Sequence, residues 1–226
     1  MVITGIVGHD GKVQTANLIS SILSSKGKKV SVVDSKIISE MDFRTVKDYV
    51  YELEKNNVDI LVLKMNIVDV DKVIFDYLHF DFIIYTGKPD SLNEYESNNY
   101  SFLVKKMFSL LNEKGIAIVN IDENDSKQFL KDINKYCTVT YGFNSKANIT
   151  TSSVGDNVLE DSFICCLQNN IPARDGKLIA PHEYRISIEA SSFDTHNVLA
   201  AVSFAIVNGV DLDANGNNSD KNNEYN

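Results

Sequence analysis

Gly8-His9-Asp10-Gly11-Lys12-Val13-Gln14-Thr15 brings two glycines, a lysine and hydroxyl-bearing and amide side chains together directly after an apolar run. Glycines let backbone N–H groups approach an anion, and a helix N-terminus and a lysine supply positive charge, so the segment has the parts of a phosphate-binding loop. The usual loop places Ser or Thr directly after its lysine to ligate Mg²⁺. Val13 stands there, and a valine cannot coordinate a metal. Taken alone, Gly-x-x-Gly-Lys describes a strand-to-helix turn with a solvated lysine equally well.

The flanking elements suit a phosphate site. Val2–Val7 reads as a strand, Thr15–Ser25 as an amphipathic helix, and Lys29–Val33 as a second strand after the stop signal Gly27. Further strands are expected at Asp59–Leu63, Phe80–Tyr85, Gly115–Asn120 and Thr138–Tyr141, and helices at Val46–Lys55, Phe102–Asn112 and Ser126–Tyr136. Strands this apolar must be covered on both faces, which predicts an α/β fold of the P-loop type with a doubly wound, mostly parallel sheet flanked by helices. After Gly142 shorter strands at Ile149–Ser153, Ser162–Gln168 and Tyr184–Glu189 predict a small antiparallel appendage, followed by an alanine-rich helix at His196–Asn208. Residues 1–213 form the expected domain. From Ala214 to Asn226 the chain is almost wholly polar, too poor in apolar residues to offset ordering entropy, and a disordered tail is expected.

Composition removes several function classes. The formal charge of −9, from 22 basic and 31 acidic residues, argues against a surface for nucleic-acid phosphates. No apolar run approaches the roughly 18 residues of a membrane span, and no charged leader precedes the first strand, so a soluble cytoplasmic protein is expected. Cys137, Cys165 and Cys166 are an odd set without Cys-x-x-Cys spacing, and read as buried free thiols rather than as disulfides or zinc ligands. His79, His182 and His196 lack metal-ligand spacing, and His196 is expected near the start of the last helix with Asp194 as its cap.

In order along the chain, these segments resemble the central ATP-binding domain of the Mur ligase family, the ATP-dependent amide ligases of peptidoglycan precursor synthesis and their folate and cyanophycin relatives. Gly5-Ile6-Val7-Gly8-His9-Asp10-Gly11-Lys12 stands where the family has Gly-Thr-Asn-Gly-Lys. Phe80–Gly87 matches the strand ending in Thr-Asn, Ala117–Glu123 the Asn-x-Asp-Asp turn, and Thr140-Tyr141-Gly142 the following Tyr-Gly. Phe193–Ala201 matches the Phe-Asn-x-x-Asn-x-Leu-Ala-Ala helix start. The resemblance implies ATP as cofactor, held by Gly8, His9, Asp10, Gly11, Lys12, Val13, Thr15, Asn120 and Asp122. Asn120 and Asp122 would contact adenine or ribose, although an Asn-x-Asp turn after a strand is also ordinary turn chemistry.

The departures fall on the family's metal positions. Lys64-Met65-Asn66-Ile67 replaces a Glu-Val-Ser-Ser segment whose glutamate helps hold Mg²⁺, so a base stands in place of an acid. Asp90-Ser91-Leu92-Asn93 lacks the histidine of Asp-His-Leu-Asp, and Val104 aligns with a lysine that many members carbamylate, with Lys105 adjacent. Mg²⁺ binding and catalytic residues are therefore not expected. Lys64 is expected at the end of its strand, either facing the phosphate loop or pointing to solvent. The resemblance is to the central domain alone, so the family's N-terminal and C-terminal substrate domains are expected to be lacking. The expected function is a nucleotide-binding, ligase-like domain that does not ligate and is tied to cell-wall precursor synthesis. The alternatives are a divergent ligase subunit whose partner protein supplies the substrate domains, and a purely regulatory module.

Overall fold

The computed structural model describes residues 1–8, 11–89, 91–126, 130–131, 133, 135–152, 162–187 and 194–212. The order is β1 (Val2–Val7), α1 (Gly11–Ser25), β2 (Val30–Asp34), α2 (Ser35–Ser39), α3 (Phe43–Lys55) and β3 (Ile60–Met65). Two 3-10 turns at Ile67–Asp71 and Val73–Tyr77 lead to β4 (Phe80–Tyr85), α4 (Glu94–Ser109), β5 (Leu111–Asn120), β6 (Cys137–Tyr141) and β7 (Ile149–Thr151). Then come β8 (Ser162–Leu167), β9 (Ile171–Pro172), β10 (Leu178–Ile179), β11 (His182–Ser187) and α5 (Thr195–Val207).

One nine-stranded sheet runs β11-β8-β7-β6-β5-β4-β1-β3-β2, parallel from β2 to β7 and antiparallel at β8 and β11. The antiparallel strands expected in the last third thus extend the main sheet, and β9 with β10 forms a separate two-stranded sheet. Period-two alternation sends Ile6, Ile60, Val62, Phe82, Ile84 and Ile118 to the face covered by α1 and α5. Val7, Leu61, Leu63, Ile83, Tyr85 and Val119 face the opposite layer, which includes α4. All of α5 from Asn197 to Val207 is buried, as a helix apolar on every side must be.

Caps explain where the expected bounds shift. Asn93 and Glu96 form a capping box that starts α4 at Glu94 rather than Phe102. Asp42 accepts from the Thr45 amide and starts α3 at Phe43, while Asp34 caps the unanticipated α2. Leu111–Lys114, read as helix end and turn, belongs to β5, and α1 begins already at Gly11. Cys165 is buried, but Cys137 and Cys166 are half-buried, correcting the expectation of three buried thiols. The helix expected over Ser126–Tyr136 lies partly outside the described residues, as do Ser153, Ile188 and Glu189, and the tail lies wholly outside them. No helix among the described residues is long and apolar enough to cross a membrane.

Candidate nucleotide site

Because β1, β3, β4, β5 and β6 run parallel, the residues that follow them line one edge of the sheet, the edge where doubly wound sheets bind ligands. Gly8 leaves β1 with φ of +124°, and a Cβ there would lie 2.2 Å from the Gly87 carbonyl oxygen and 2.9 Å from Thr86 Oγ1. Only glycine fits so close an approach in that conformation. Gly11 opens α1, with room for a Cβ denied by Asn197 Oδ1 at 2.2 Å. Asn197 donates to Gln14 Oε1 at 2.7 Å and accepts from Thr15 Oγ1 at 3.3 Å, fixing the start of α1 to the start of α5. Thr15 is fully buried and its hydroxyl faces the protein. Val13 sits in the first turn of α1 and is 43% exposed, so no packing demand explains a valine there. His9 and Asp10 lie outside the described residues.

Lys12 reaches across to the end of β3, donating to Asn66 Oδ1 at 2.8 Å and to the Met65 carbonyl at 3.3 Å. Asn66 heads the first 3-10 turn without capping it, since its side chain serves Lys12 instead. Behind it, the buried Asp69 accepts from Ser35 Oγ at 2.6 Å and from Asn66 Nδ2 at 3.4 Å, and pairs with Lys72 at 3.2 Å. Lys64 stands at this same end, in register with Ile6 of β1 and Asp34 of β2. Its ammonium pairs with Asp34 at 3.7 Å rather than simply entering solvent.

The third part of this edge follows β5 and β6. Asn120 is buried; its Nδ2 donates to the Thr86 carbonyl at 3.4 Å and its Oδ1 accepts from the Asp122 amide at 3.1 Å. Asp122 accepts from the amides of Phe143 at 2.6 Å and Asn144 at 2.9 Å, and its Oδ2 lies 2.9 Å from His196 Nε2. Partial burial acts to raise the Asp122 carboxyl, but the Phe143 amide, His196 and the Asn144 amide outweigh it and hold the group below the usual carboxylate range. The Phe143 ring, half-exposed, stands edge-on to His196 at 4.5 Å between centroids. Asp194 caps α5 through the His196 amide, as expected, and lies 3.7 Å from His196 Nδ1. Burial and the carboxylates of Glu123, Asp194 and Asp122 push the Tyr141 phenol up, so it stays neutral and donates to the Tyr85 carbonyl at 3.3 Å.

The structure therefore brings Gly8, Gly11, Lys12, Val13 and Thr15 to one corner and Asn120 with Asp122 to another on the same edge, the latter two engaged in turn and tethering bonds. Of the aligned metal positions, Val104 is buried in the core and Lys105 is exposed beside Ser109 and Tyr136, while Asn93 serves as a helix cap. Asp90 lies outside the described residues. Among the described residues no group of His, Cys, Asp and Glu has metal-binding geometry. Asn66, Asp69, Asn197 and the Asp122–His196 pair were not singled out from sequence, because their partners are remote in the chain and their types are ordinary in turns and caps.

Comparison with known proteins agrees with this arrangement. The Mur ligase middle domain family matches residues 6–205. The chain is 21% identical over 224 residues to the UDP-N-acetylmuramoyl-L-alanyl-D-glutamate–2,6-diaminopimelate ligase of Syntrophomonas wolfei, spanning 92% of this chain and 43% of that protein. Among solved structures, a ligase of that same name superposes with a TM-score of 0.70 at 15% identity over 95% of this chain and 45% of its own. The MurF ligase of Thermotoga maritima in complex with ADP gives 0.58 at 17% identity over 94% and 46%. The chain thus spans less than half the length of the ligases it matches, and over that span its loop, sheet order and final helix make it a member of the Mur ligase family, corresponding to the middle domain.

Proposed function

We propose that this chain binds ATP or ADP weakly through the phosphates, without dependence on Mg²⁺, and does not carry out phosphoryl transfer. The observation that carries this reading is the contrast between a Lys12 ammonium presented beside the glycine-built loop and the Lys64–Asp34 pair at the adjoining strand end. The loop residues fit a phosphate: Gly8 and Gly11 keep side chains out of the approach, the N-terminus of α1 offers amides and a favourable dipole, and Lys12 adds a full charge. A divalent metal would supply charge neutralisation on the transferred phosphoryl group. Val13 offers it no ligand, and Lys64 would repel it. Asp69, the buried carboxylate linked to Lys12 through Asn66, already serves Ser35, Asn66 and Lys72. Asp122, His196 and Phe143 form a platform beside the loop edge on which the adenine or ribose rests.

The fold similarity to MurF bound to ADP supports nucleotide as the ligand, and the family supports a cytoplasmic role tied to cell-wall precursor synthesis, exerted by binding rather than by amide formation. Titration calorimetry with ADP and ATP, with Mg²⁺ and with chelator, tests the binding. Assay of ADP release with a nucleotide-sugar peptide and an amino acid tests the chemistry. Turnover above background that disappears in Lys12→Ala would replace this reading by that of a divergent ligase subunit, one working with a partner.

A further inference from the structure

Asn66 stands between the Lys12 ammonium and the Asp69 carboxylate. An ammonium has only donors and a carboxylate only acceptors, so the amide between them is satisfied in one orientation, with Oδ1 towards Lys12 and Nδ2 towards Asp69. The contacts follow that orientation: Lys12 Nζ donates to Asn66 Oδ1 at 2.8 Å, and Asn66 Nδ2 donates to Asp69 Oδ2 at 3.4 Å. The backbone of Asn66 is held from the same side. Its N–H donates to Ser35 Oγ at 2.9 Å, and the buried Ser35 hydroxyl donates to Asp69 Oδ2 at 2.6 Å. Main chain and side chain of Asn66 thus both lead back to one carboxylate oxygen on the first 3-10 turn. Asp69 is 5% exposed, and Lys72, 3.2 Å from its other oxygen, supplies the countercharge that a buried carboxylate needs.

This network has two consequences for Lys12. Lysine is among the side chains that lose most rotamer freedom on being ordered. Asn66 Oδ1 and the Met65 carbonyl, at 3.3 Å, order it in the ligand-free protein, so an arriving phosphate does not bear that cost. Both acceptors are also neutral. A carboxylate in direct contact would cancel the charge that attracts an anion, whereas an amide and a carbonyl occupy N–H groups and leave the charge intact. Asn66 therefore transmits the orienting effect of Asp69 to Lys12 without transmitting its negative charge. A buried carboxylate and its ion pair are weak contributors to stability in general, which turns attention to what this one orients.

Resting on the reading that Lys12 receives a nucleotide phosphate, we infer that Asn66 is the positioning residue of Lys12 and that Ser35 and Asp69 act on the lysine through it. Two measurements test this. In the ligand-free protein, NMR with isotope-labelled lysine reads the two ε-methylene protons of Lys12, assigned by their loss in Lys12→Arg. They should be inequivalent in the parent and merge in Asn66→Leu and in Asp69→Ala. Calorimetry with ADP in chelator should show affinity lowered about threefold or more in Asn66→Leu and about twofold or more in Asp69→Ala. Asn66→Asp separates position from charge: the Lys12 protons should stay inequivalent while ADP affinity falls by about tenfold, a combination that a damaged fold does not produce. Ser35→Ala, which removes the same bridge, takes the place of Asp69→Ala should that variant not fold. Binding that is lost in Lys12→Ala but unaltered in Asn66→Leu would overturn the inference and leave the nucleotide reading standing, as would Lys12 protons unchanged in both Asn66→Leu and the Asp69 or Ser35 variant. ADP affinity unchanged by Lys12→Ala would instead overturn the nucleotide reading, with the lysine signals still deciding whether Asn66 positions Lys12.

Discussion

The ends of β1 and β3 lie side by side in one register, yet what they offer a nucleotide differs. After β1, the features that admit a phosphate are built into the backbone: Gly8 touches Gly87 and Gly11 touches Asn197, so replacing either glycine strains the fold. After β3 and in the first turn of α1, the features that would hold a metal are single side chains, Lys64 and Val13, each partly exposed and removable without disturbing the core. In the proposed reading, stability itself retains the two glycines that leave room for a phosphate, whereas metal ligands persist only where function demands them.

The difference between the two ends can be broken most forcefully at Gly8. Gly8→Ala should destabilise the protein by about 3 kcal/mol, through a backbone clash added to an unfavourable φ. Val13→Ala should stay within about 0.5 kcal/mol. Urea denaturation compares them, and equal effects would remove the contrast. Lys12→Ala should lower nucleotide affinity tenfold or more while costing about 1 kcal/mol of stability for its bonds to Asn66 and Met65. Unchanged affinity would place nucleotide elsewhere.

The β3 end can instead be rebuilt. Lys64→Glu alone sets two carboxylates against each other, because Asp34 is the present partner, so the informative variant is Val13→Thr, Lys64→Glu and Asp34→Asn together. It should acquire a several-fold Mg²⁺-dependent gain in ADP affinity; a folded variant that gains none would show that further ligands are missing. A smaller effect is expected at Asp122. Its carboxyl is held low in the folded state, so its contribution is present above the unfolded value of about 3.9 and is lost as pH falls through the folded one. Asp122→Asn should therefore be less stable than the parent by about 1 kcal/mol at pH 7, a modest figure because the group is only partly buried, and the gap should close as pH falls through the lowered folded value. A gap that persists in acid would assign the loss to packing.

Much of this architecture is legible in the sequence because apolar period and chain order carry it. Val2–Val7 and Phe80–Tyr85 fall where expected, and so does the buried helix that begins at Thr195, within a residue. α4 begins eight positions before the expected Phe102 because its polar first turns, Glu94 to Ser101, carry a capping box but no apolar stripe. At the site, the spacing of Gly8, Gly11 and Lys12 makes the strand-to-helix turn readable, while its reading as a phosphate loop comes from the family resemblance. Asn66 and Asn197 are not readable, since their roles arise from contacts to Lys12, Gln14 and Thr15 that only the fold creates. Lys64 was placed at the correct end, but its pairing with Asp34 depends on the register of β2 beside β3.

The central claim is that phosphate geometry survives here without metal geometry, and calorimetric titration of the unaltered protein with ADP, in excess Mg²⁺ and again in chelator, tests it most directly. Equal affinities within about twofold, both abolished by Lys12→Ala, are the predicted result. A gain of tenfold or more on adding Mg²⁺ would contradict it.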